Sequence, residues 1–357
     1  MSKLEKLRNG FENHEIDGLI VTSAINRRYL SGFTGSSGVL VISEKVARLI
    51  TDFRYVDQAA EQAKDFEVIR HSTSIQETVA ATLKEMGIQK AGFEQDHLTF
   101  AGFKTYEKYA GGVGTELVAV SGLIEKLRLI KDNSEIKILK EAAQIADAAF
   151  SHITSYIKPG VTELDVSNEL EFFMRKNGAD SSSFDIIVAS GFRSALPHGR
   201  ASEKIISEGE LVTLDFGAYY KGYCSDITRT VAVGEITKEL KTIYETVYEA
   251  QARGMQGIRP GMTGRQADAL TRDYITEKGY GEHFGHSTGH GIGLEVHEGP
   301  SLAIHSEVVL EPGMIVTVEP GIYISGLGGV RIEDDAVITK EGNESLTHSP
   351  KELLILG

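Results

Sequence analysis

Hydrophobic residues in the first 130 positions alternate between helical and strand-like spacing. Leu4, Leu7 and Phe11 are spaced as on one face of a helix. Three short runs rich in aliphatic and β-branched residues follow, namely GLIVTS from Gly18, GVLVIS from Gly38 and VARLIT from Val46. Helical and strand patterns that alternate in this way predict an α/β domain with a partly parallel sheet.

A new pattern begins at Asp132, which is followed three positions later by Glu135. This is the form of a capping box, so the sequence predicts a helix start here. Apolar residues then recur in steps of three and four, at Ile136, Leu139, Ala143, Ala146, Phe150, Ile153 and Ile157. We therefore predict a long helix that runs to Lys158-Pro-Gly160, and two domains, residues 1–130 and 131–357.

The second domain repeats itself. IKPGVT at 157–162 recurs as IRPGMT at 258–263, and each copy runs through a helical stretch to a glycine, Gly178 or Gly279, at a constant offset of 101. LVTLDFGAY at 211–219 similarly matches IVTVEPGIY at 315–323. A repeat of this length predicts two similar α/β halves with a cleft between them.

Carboxylates occupy matching places in the two halves. Asp215 and Glu319 lie on otherwise apolar strands, Asp226 follows KGYCS, and Glu333 follows GLGGVRI. A buried carboxylate costs several kcal/mol unless it is paired or bound to a metal. Four of them in one cleft would repel each other, and a pair of divalent cations would compensate most simply.

Composition and charge exclude several classes of protein. The 357 residues are 41% hydrophobic, enough for about two folded domains. A net charge of −14 gives no general attraction to nucleic acid or to anionic membranes. No apolar run approaches the ~18 residues that span a bilayer. A single cysteine, Cys224, and a start without the apolar core of a signal peptide indicate a cytoplasmic protein.

Histidines concentrate in HFGHSTGHGIGLEVHEGP, residues 283–300. The spacing of His286 and His290 imitates a zincin helix, but the glutamate after the first histidine is missing and the glycines disfavour a helix. Residues 285–289 match the G-x-S-x-G nucleophile elbow, which would make Ser287 a nucleophile. That motif should open a helix, and the glycines that follow argue against it.

Asp215, Asp226 eleven residues later, GHGIGLEVHE, EPGIY and VRIEDD together resemble the pita-bread metallopeptidases of the aminopeptidase P and prolidase branch. YLSGFTGSSG from Tyr29, ITDFRY from Ile50 and IVASGFRSALPHG at 187–199 extend the resemblance over nearly the whole chain. It implies an α/β (α+β) fold, in which a creatinase/prolidase-like α/β domain precedes a duplicated pita-bread metallopeptidase domain. The implied metal ligands are Asp215, Asp226, His290, Glu319 and Glu333.

The resemblance also implies a reaction, hydrolysis of the bond between an N-terminal residue and proline in short peptides. Two divalent cations, Mn²⁺ foremost and Co²⁺ or Zn²⁺ as alternatives, would supply a bridging hydroxide and polarise the carbonyl. Glu319 would shuttle the proton, and His198, His286 and His297 would contact substrate and act in catalysis. Arg331, Tyr323 and Thr228 would surround the ligands. The family further suggests a homodimer.

Two alternatives within this fold are a methionine-aminopeptidase-like peptidase and a non-catalytic peptide-binding protein that has lost metal ligands. The presence of all five implied ligands disfavours the second, and Arg331 and EPGIY favour the proline branch over the first. Dipeptidase and aminopeptidase P activities both stay open. A strict dipeptidase needs a cation for the substrate's terminal carboxylate, and residues 299–310 contain no Lys or Arg.

Overall fold

A computed structural model describes all 357 residues. The chain divides into two compact units, Met1–Arg128 and Leu129–Gly357. They are called here the N-terminal unit and the C-terminal unit.

The N-terminal unit is a six-stranded mixed sheet with helices. Its strands are β1 (Gly18–Val21), β2 (Val39–Ser43), β3 (Ala47–Thr51), β4 (Glu67–Arg70), β5 (Lys90–Glu94) and β6 (Glu116–Val120). Its helices are α1 (Lys3–Arg8), α2 (Ala24–Ser31), α3 (Val56–Gln62), α4 (Ile75–Glu85), α5 (Phe100–Gly112) and α6 (Leu123–Arg128).

The strand order is β4-β3-β2-β1-β5-β6. The three strands predicted from hydrophobic runs pair antiparallel as β1 with β2 and β2 with β3, and the outer pairings with β4, β5 and β6 are parallel. The prediction of a partly parallel α/β sheet is therefore confirmed. Residues such as Ile20, Val41 and Leu83 are almost fully buried between this sheet and its helices.

The C-terminal unit contains four α-helices and fourteen strands. The helices are α7 (Asn133–Ile153), α8 (Glu163–Lys176), α9 (Lys238–Gly257) and α10 (Gly264–Glu277). The strands of its first half are β7 (Ser181–Ser182), β8 (Ile187–Ser190), β9 (Glu210–Phe216), β10 (Ala218–Tyr220), β11 (Tyr223–Cys224) and β12 (Ile227–Val233). Later strands are β13 (Gly289–Gly291), β14 (Glu298–Leu302), β15 (Ile315–Val318), β16 (Gly321–Ile324), β17 (Gly328–Arg331), β18 (Asp334–Ile338), β19 (Asn343–Ser345) and β20 (Ile355–Leu356).

Helix α7 begins as predicted but ends earlier. The Asp132 side chain accepts the backbone N–H of Ser134 and Glu135, and the Glu135 carboxylate accepts the N–H of Asp132, which completes the capping box. The helix stops at Ile153, four residues before the predicted end, and a turn follows. Ile157 is nevertheless buried in the core, because the turn keeps it against the same apolar cluster.

The internal repeat is visible in the backbone. Gly160 and Gly261 adopt left-handed φ values of 99° and 86°, which favour glycine, and Thr162 and Thr263 then cap α8 and α10 with matching capping boxes. β9 pairs antiparallel with β12, and β15 with β18. The two sheets have the orders β20-β12-β9-β8 and β14-β13-β15-β18-β19.

Strand β9 shows how a buried strand presents a polar residue. Val212, Leu214 and Phe216 point into an apolar cluster with α7 and α8, while Asp215 lies on the opposite face. Side chains of β9 therefore alternate between the apolar cluster and the cavity. Residues of β9 separate the core of the first half from the functional cavity.

Two further expectations concern membranes and cysteine chemistry. No helix combines the length and the apolar character that crossing a bilayer requires. Cys224 is a free, buried thiol. Burial raises its pKa to about 12, so the thiol stays protonated near pH 7 and packs as a small core residue.

Candidate metal centre

A cavity of about 640 Å³ in the C-terminal unit collects the predicted site residues. All five predicted metal ligands line it, together with the three predicted substrate histidines and Arg331. The remaining wall is formed by Phe184, Asp185, Ile187, Pro197, Arg200, Ser287 and Val296.

The four carboxylates reach the cavity from strand ends of both halves. Asp215 lies near the end of β9, and Asp226 immediately precedes β12. Glu319 directly follows β15, and Glu333 lies between β17 and β18. The repeat therefore has a functional consequence, since each half contributes two carboxylates to one cavity.

His290 on β13 lies among these carboxylates. Its Nε2 is 3.3 Å from Glu319 Oε1 and 3.9 Å from Asp226 Oδ2. Ligand atoms of Asp226, His290 and Glu333 all lie within 4.8 Å of one another. The His290 Nδ1 is 3.1 Å from the Gly291 carbonyl and donates to it, which leaves Nε2 as the lone-pair nitrogen.

These residues fit a divalent cation centre. Asp226 Oδ1 is buried without any hydrogen-bond partner, a costly arrangement for a carboxylate oxygen. Burial, reinforced by repulsion from neighbouring carboxylates, raises the pKa of Asp226 and of Glu333 well above the ordinary range. Bound cations would satisfy both the unpaired oxygen and the crowded negative charge. Carboxylates with one imidazole form a ligand set suited to hard or borderline divalent ions.

Arg331 organises one side of the cluster. Its guanidinium donates to Asp215 Oδ2, to Tyr323 Oη at 2.8 Å and to Thr228 Oγ1 at 3.1 Å. Thr228 in turn donates to Glu333 Oε2 at 2.6 Å. The three residues predicted to surround the ligands therefore form one hydrogen-bonded group that orients Asp215 and Glu333.

The hydrogen bonds of His286 define its protonation. Nδ1 donates to the Ser287 carbonyl at 2.8 Å, and Nε2 lies 2.8 Å from Tyr323 Oη. Burial lowers the pKa of His286 to about 4, so the ring is neutral near pH 7 and Nε2 accepts from the tyrosine hydroxyl. His286 thus ends a chain that runs from Arg331 through Tyr323.

His198 and His297 are placed differently, because both are exposed within the cavity wall. The His297 ring packs edge-to-face on His290, with centroids 4.5 Å apart. Burial, followed by the proximity of His290 and His198, lowers the pKa of His297 below its ordinary value. Both imidazoles are therefore accessible to a molecule bound in the cavity.

The glycines around His290 have a steric reason. A Cβ at Gly289 would lie 1.9 Å from the Thr317 carbonyl oxygen, so β13 could not approach β15 with a larger residue there. Thr317 Oγ1 accepts the N–H of His290 at 3.1 Å and donates to Glu319 Oε1 at 3.2 Å. The close contact between β13 and β15 therefore fixes the position of His290 relative to Glu319.

Several residues that support the site escaped the sequence analysis. Asp335, almost fully buried, accepts the N–H of Asp226 at 2.9 Å. Glu163, fully buried, accepts from Ser190 and Ser202 and pairs with Arg193, which ties together the segment that carries His198. The acidic pair after Glu333 in VRIEDD was a signal for Asp335, whereas Glu163 resembles any residue of a first helical turn.

The two local motifs weighed as alternatives lack their required context. Ser287 is followed by β13 and not by a helix, so the G-x-S-x-G match is no nucleophile elbow. His286 and His290 do not share a helix either, which excludes the zincin arrangement.

Comparison with known proteins agrees with this geometry. Residues 137–340 match the metallopeptidase family M24, and residues 3–130 match the creatinase/prolidase N-terminal domain. The chain belongs to metallopeptidase family M24. The resemblance and the fold class predicted from the sequence are thereby confirmed, and membership implies a divalent metal cofactor.

Individual relatives match over nearly their whole length. An Xaa-Pro dipeptidase of known structure from Bacillus anthracis is 66% identical, with a TM-score of 0.98 over 99% of both chains. An Xaa-Pro dipeptidase from Pyrococcus horikoshii is 38% identical over 99% of this chain and 98% of its own. The crystal structure of an X-Pro aminopeptidase from Thermotoga maritima has a TM-score of 0.92 at 39% identity, over 98% of this chain and all of that one.

Proposed function

We propose that this protein is a metal-dependent peptidase that hydrolyses the bond between an N-terminal residue and proline in short peptides. The observation that carries the proposal is the convergence of Asp215, Asp226, His290, Glu319 and Glu333 on one cavity. Relatives named Xaa-Pro dipeptidase support the choice of substrate. The complete ligand set argues against a non-catalytic peptide-binding protein.

The five residues would hold two divalent cations, with Mn²⁺ the preferred ion because four of the ligands are hard carboxylates. When bound, the ions would acidify a water molecule and polarise the scissile carbonyl. Glu319 would accept the proton of that water, since its carboxylate borders the cavity beside His290.

The exposed imidazoles, His198 and His297, would hydrogen-bond the substrate carbonyl as negative charge develops and deliver a proton to the proline nitrogen. His286 would contact substrate only from a fixed orientation, because both of its ring nitrogens are engaged. We therefore assign it the weaker role of shaping the pocket.

The apolar part of the cavity wall matches a proline at the second position of the substrate. A proline nitrogen carries no hydrogen to donate, so recognition must come from its ring. Phe184, Ile187, Pro197 and Val296 provide an apolar surface for that ring beside the carboxylates. The homodimer and the cytoplasmic location expected from the sequence stay predictions.

Metal removal tests the proposed function. Dialysis against EDTA should abolish hydrolysis of Ala-Pro and Ala-Pro-Ala, and addition of Mn²⁺ should restore it. Mass spectrometry of the restored protein should then find about two ions per chain. Co²⁺ and Zn²⁺ serve as comparisons. Unchanged hydrolysis after complete removal of metal would refute the mechanism.

A further inference from the structure

Two arginines line the cavity, and their side chains differ in how freely they can move. Arg331 is buried, and its donors are engaged with Asp215, Tyr323 and Thr228. Arg200 is exposed, with 75% of its side chain accessible, and its Nη2 is 2.7 Å from Asp185 Oδ2. Arg200 is therefore the cation of this wall that can turn towards a ligand.

Strand pairing places Arg200 in register with Asp215, one of the five predicted metal ligands. Arg200 forms a bridge with Ile187, and Ile187 pairs with Asp215 in the β8–β9 ladder. Directly paired residues present their side chains on one face, which agrees with all three lining the cavity. Neighbouring strands are about 4.8 Å apart, so the Arg200 backbone lies about 10 Å from that of Asp215.

The spacing corresponds to the size of a dipeptide. In Xaa-Pro the terminal carboxylate is one residue beyond the scissile bond, at most about 3.6 Å of extended chain. With its scissile carbonyl at the carboxylate cluster, a dipeptide that extends across Ile187 would bring its terminal carboxylate towards Arg200. The long arginine side chain covers the remaining distance, and its planar donors suit a carboxylate.

The ion pair between Arg200 and Asp185 does not prevent Arg200 from pairing with a substrate carboxylate instead. Asp185 also has 71% of its side chain exposed, and exposed ion pairs contribute little to stability. Asp185 would hold the guanidinium at the cavity wall and repel an incoming carboxylate until Arg200 turns.

We propose that Arg200 binds the terminal carboxylate of an Xaa-Pro dipeptide and thereby directs the enzyme towards dipeptides. This inference rests on the proposed function, and it supplies the cation that residues 299–310 lack. Asp185 competes with the substrate carboxylate for the same guanidinium.

The test compares Arg200→Gln with the unmodified protein, both loaded with Mn²⁺, on Ala-Pro and on Ala-Pro amide. Loss of a charge-assisted pair should raise KM for Ala-Pro about 10-fold or more, with a far smaller change for the amide. Arg200→Lys should recover part of the loss, because it keeps the charge without the planar donors. Asp185→Asn should lower KM for Ala-Pro.

Arg265→Gln is the matched control, since Arg265 is a similarly exposed arginine paired with Glu307 at 3.0 Å and lies outside the cavity wall. It should leave the ratio of kcat/KM for acid and amide unchanged. Equal effects of Arg200→Gln on both substrates would overturn the inference and leave the proposed function intact. Failure of the unmodified protein to cleave either substrate would instead refute the proposed function.

Discussion

Single carboxylates of the candidate metal centre are buried, and burial makes their charged form unfavourable. Burial raises the pKa of Glu319 to about 8, although Arg331 acts in the opposite direction. Asp226 and Glu333 are shifted upward for the same reason. A bound cation would offset the free-energy cost of burying these carboxylates. Buried acids with shifted pKa values therefore indicate a site more reliably than exposed acids do.

Substitution of Glu319 by glutamine should separate metal binding from folding. The amide has the same size but carries no charge, so metal affinity should fall more than about 100-fold while the metal-free protein melts at a higher temperature. Metal analysis and thermal melts in EDTA measure the two effects. Normal metal content would contradict the assignment of Glu319 as a ligand.

The Tyr323 hydroxyl should matter for turnover and not for metal content. Tyr323→Phe removes the group that accepts from Arg331 and donates to His286, so kcat/KM for Ala-Pro should fall about 10-fold to 100-fold. Tyr106→Phe is the control, because Tyr106 is a buried tyrosine of the N-terminal unit. An equal loss in both variants would show a general effect of losing a buried hydroxyl.

At the scale of elements, the close approach of two strands positions His290. Gly289→Ala would place a Cβ 1.9 Å from the Thr317 carbonyl oxygen, so β13 must move away from β15. We expect a loss of about 1 to 3 kcal/mol in the free energy of unfolding and reduced metal content. Urea denaturation and metal analysis provide the measurements.

Gly111→Ala is the control for that substitution. Gly111 lies in α5, and a Cβ there would meet no atom within 4 Å. Alanine should stabilise this helix by about 0.5 to 1 kcal/mol. Similar destabilisation by both alanines would mean that strand approach at Gly289 is not the cause.

The same elements show where sequence patterns suffice. The strands β1, β2 and β3 and the cap of α7 were predicted because local hydrophobic spacing and capping residues determine them. The end of α7 was predicted four residues late, because Ile157 continues the apolar spacing although the backbone has already turned. Hydrophobic spacing reports burial, and it does not by itself report where a helix ends.

For the whole molecule, metal binding should stabilise the two units unequally. All five predicted ligands lie in the C-terminal unit. Addition of Mn²⁺ to EDTA-treated protein should therefore slow hydrogen exchange in β9, β12, β13, β15 and β18 while leaving β1 to β6 unchanged. Exchange followed by mass spectrometry would show this, and equal protection of both units would indicate that the ions bind elsewhere.

The net charge has a related explanation at this scale. Asp215, Asp226, Glu319 and Glu333 contribute four of the negative charges behind the formal value of −14. These four carboxylates line the candidate metal cavity, and the remaining acidic residues lie elsewhere in the chain. The charge therefore bears on solubility and on excluded partners, and only partly on the site.

The sequence by itself determined the fold class, the repeat and the five candidate ligands. Repeated motifs preserve matching residues in both halves, and the resemblance to a family rests on those residues. Tertiary structure decided what depends on residues distant in the chain. It joined Arg331 to Asp215 and Thr228, joined His286 Nε2 to Tyr323, and set Arg200 beside Ile187, which is itself paired with Asp215. Hydrogen bonds and strand pairing between distant segments leave no local pattern, which is the physical reason that only the folded chain reveals them.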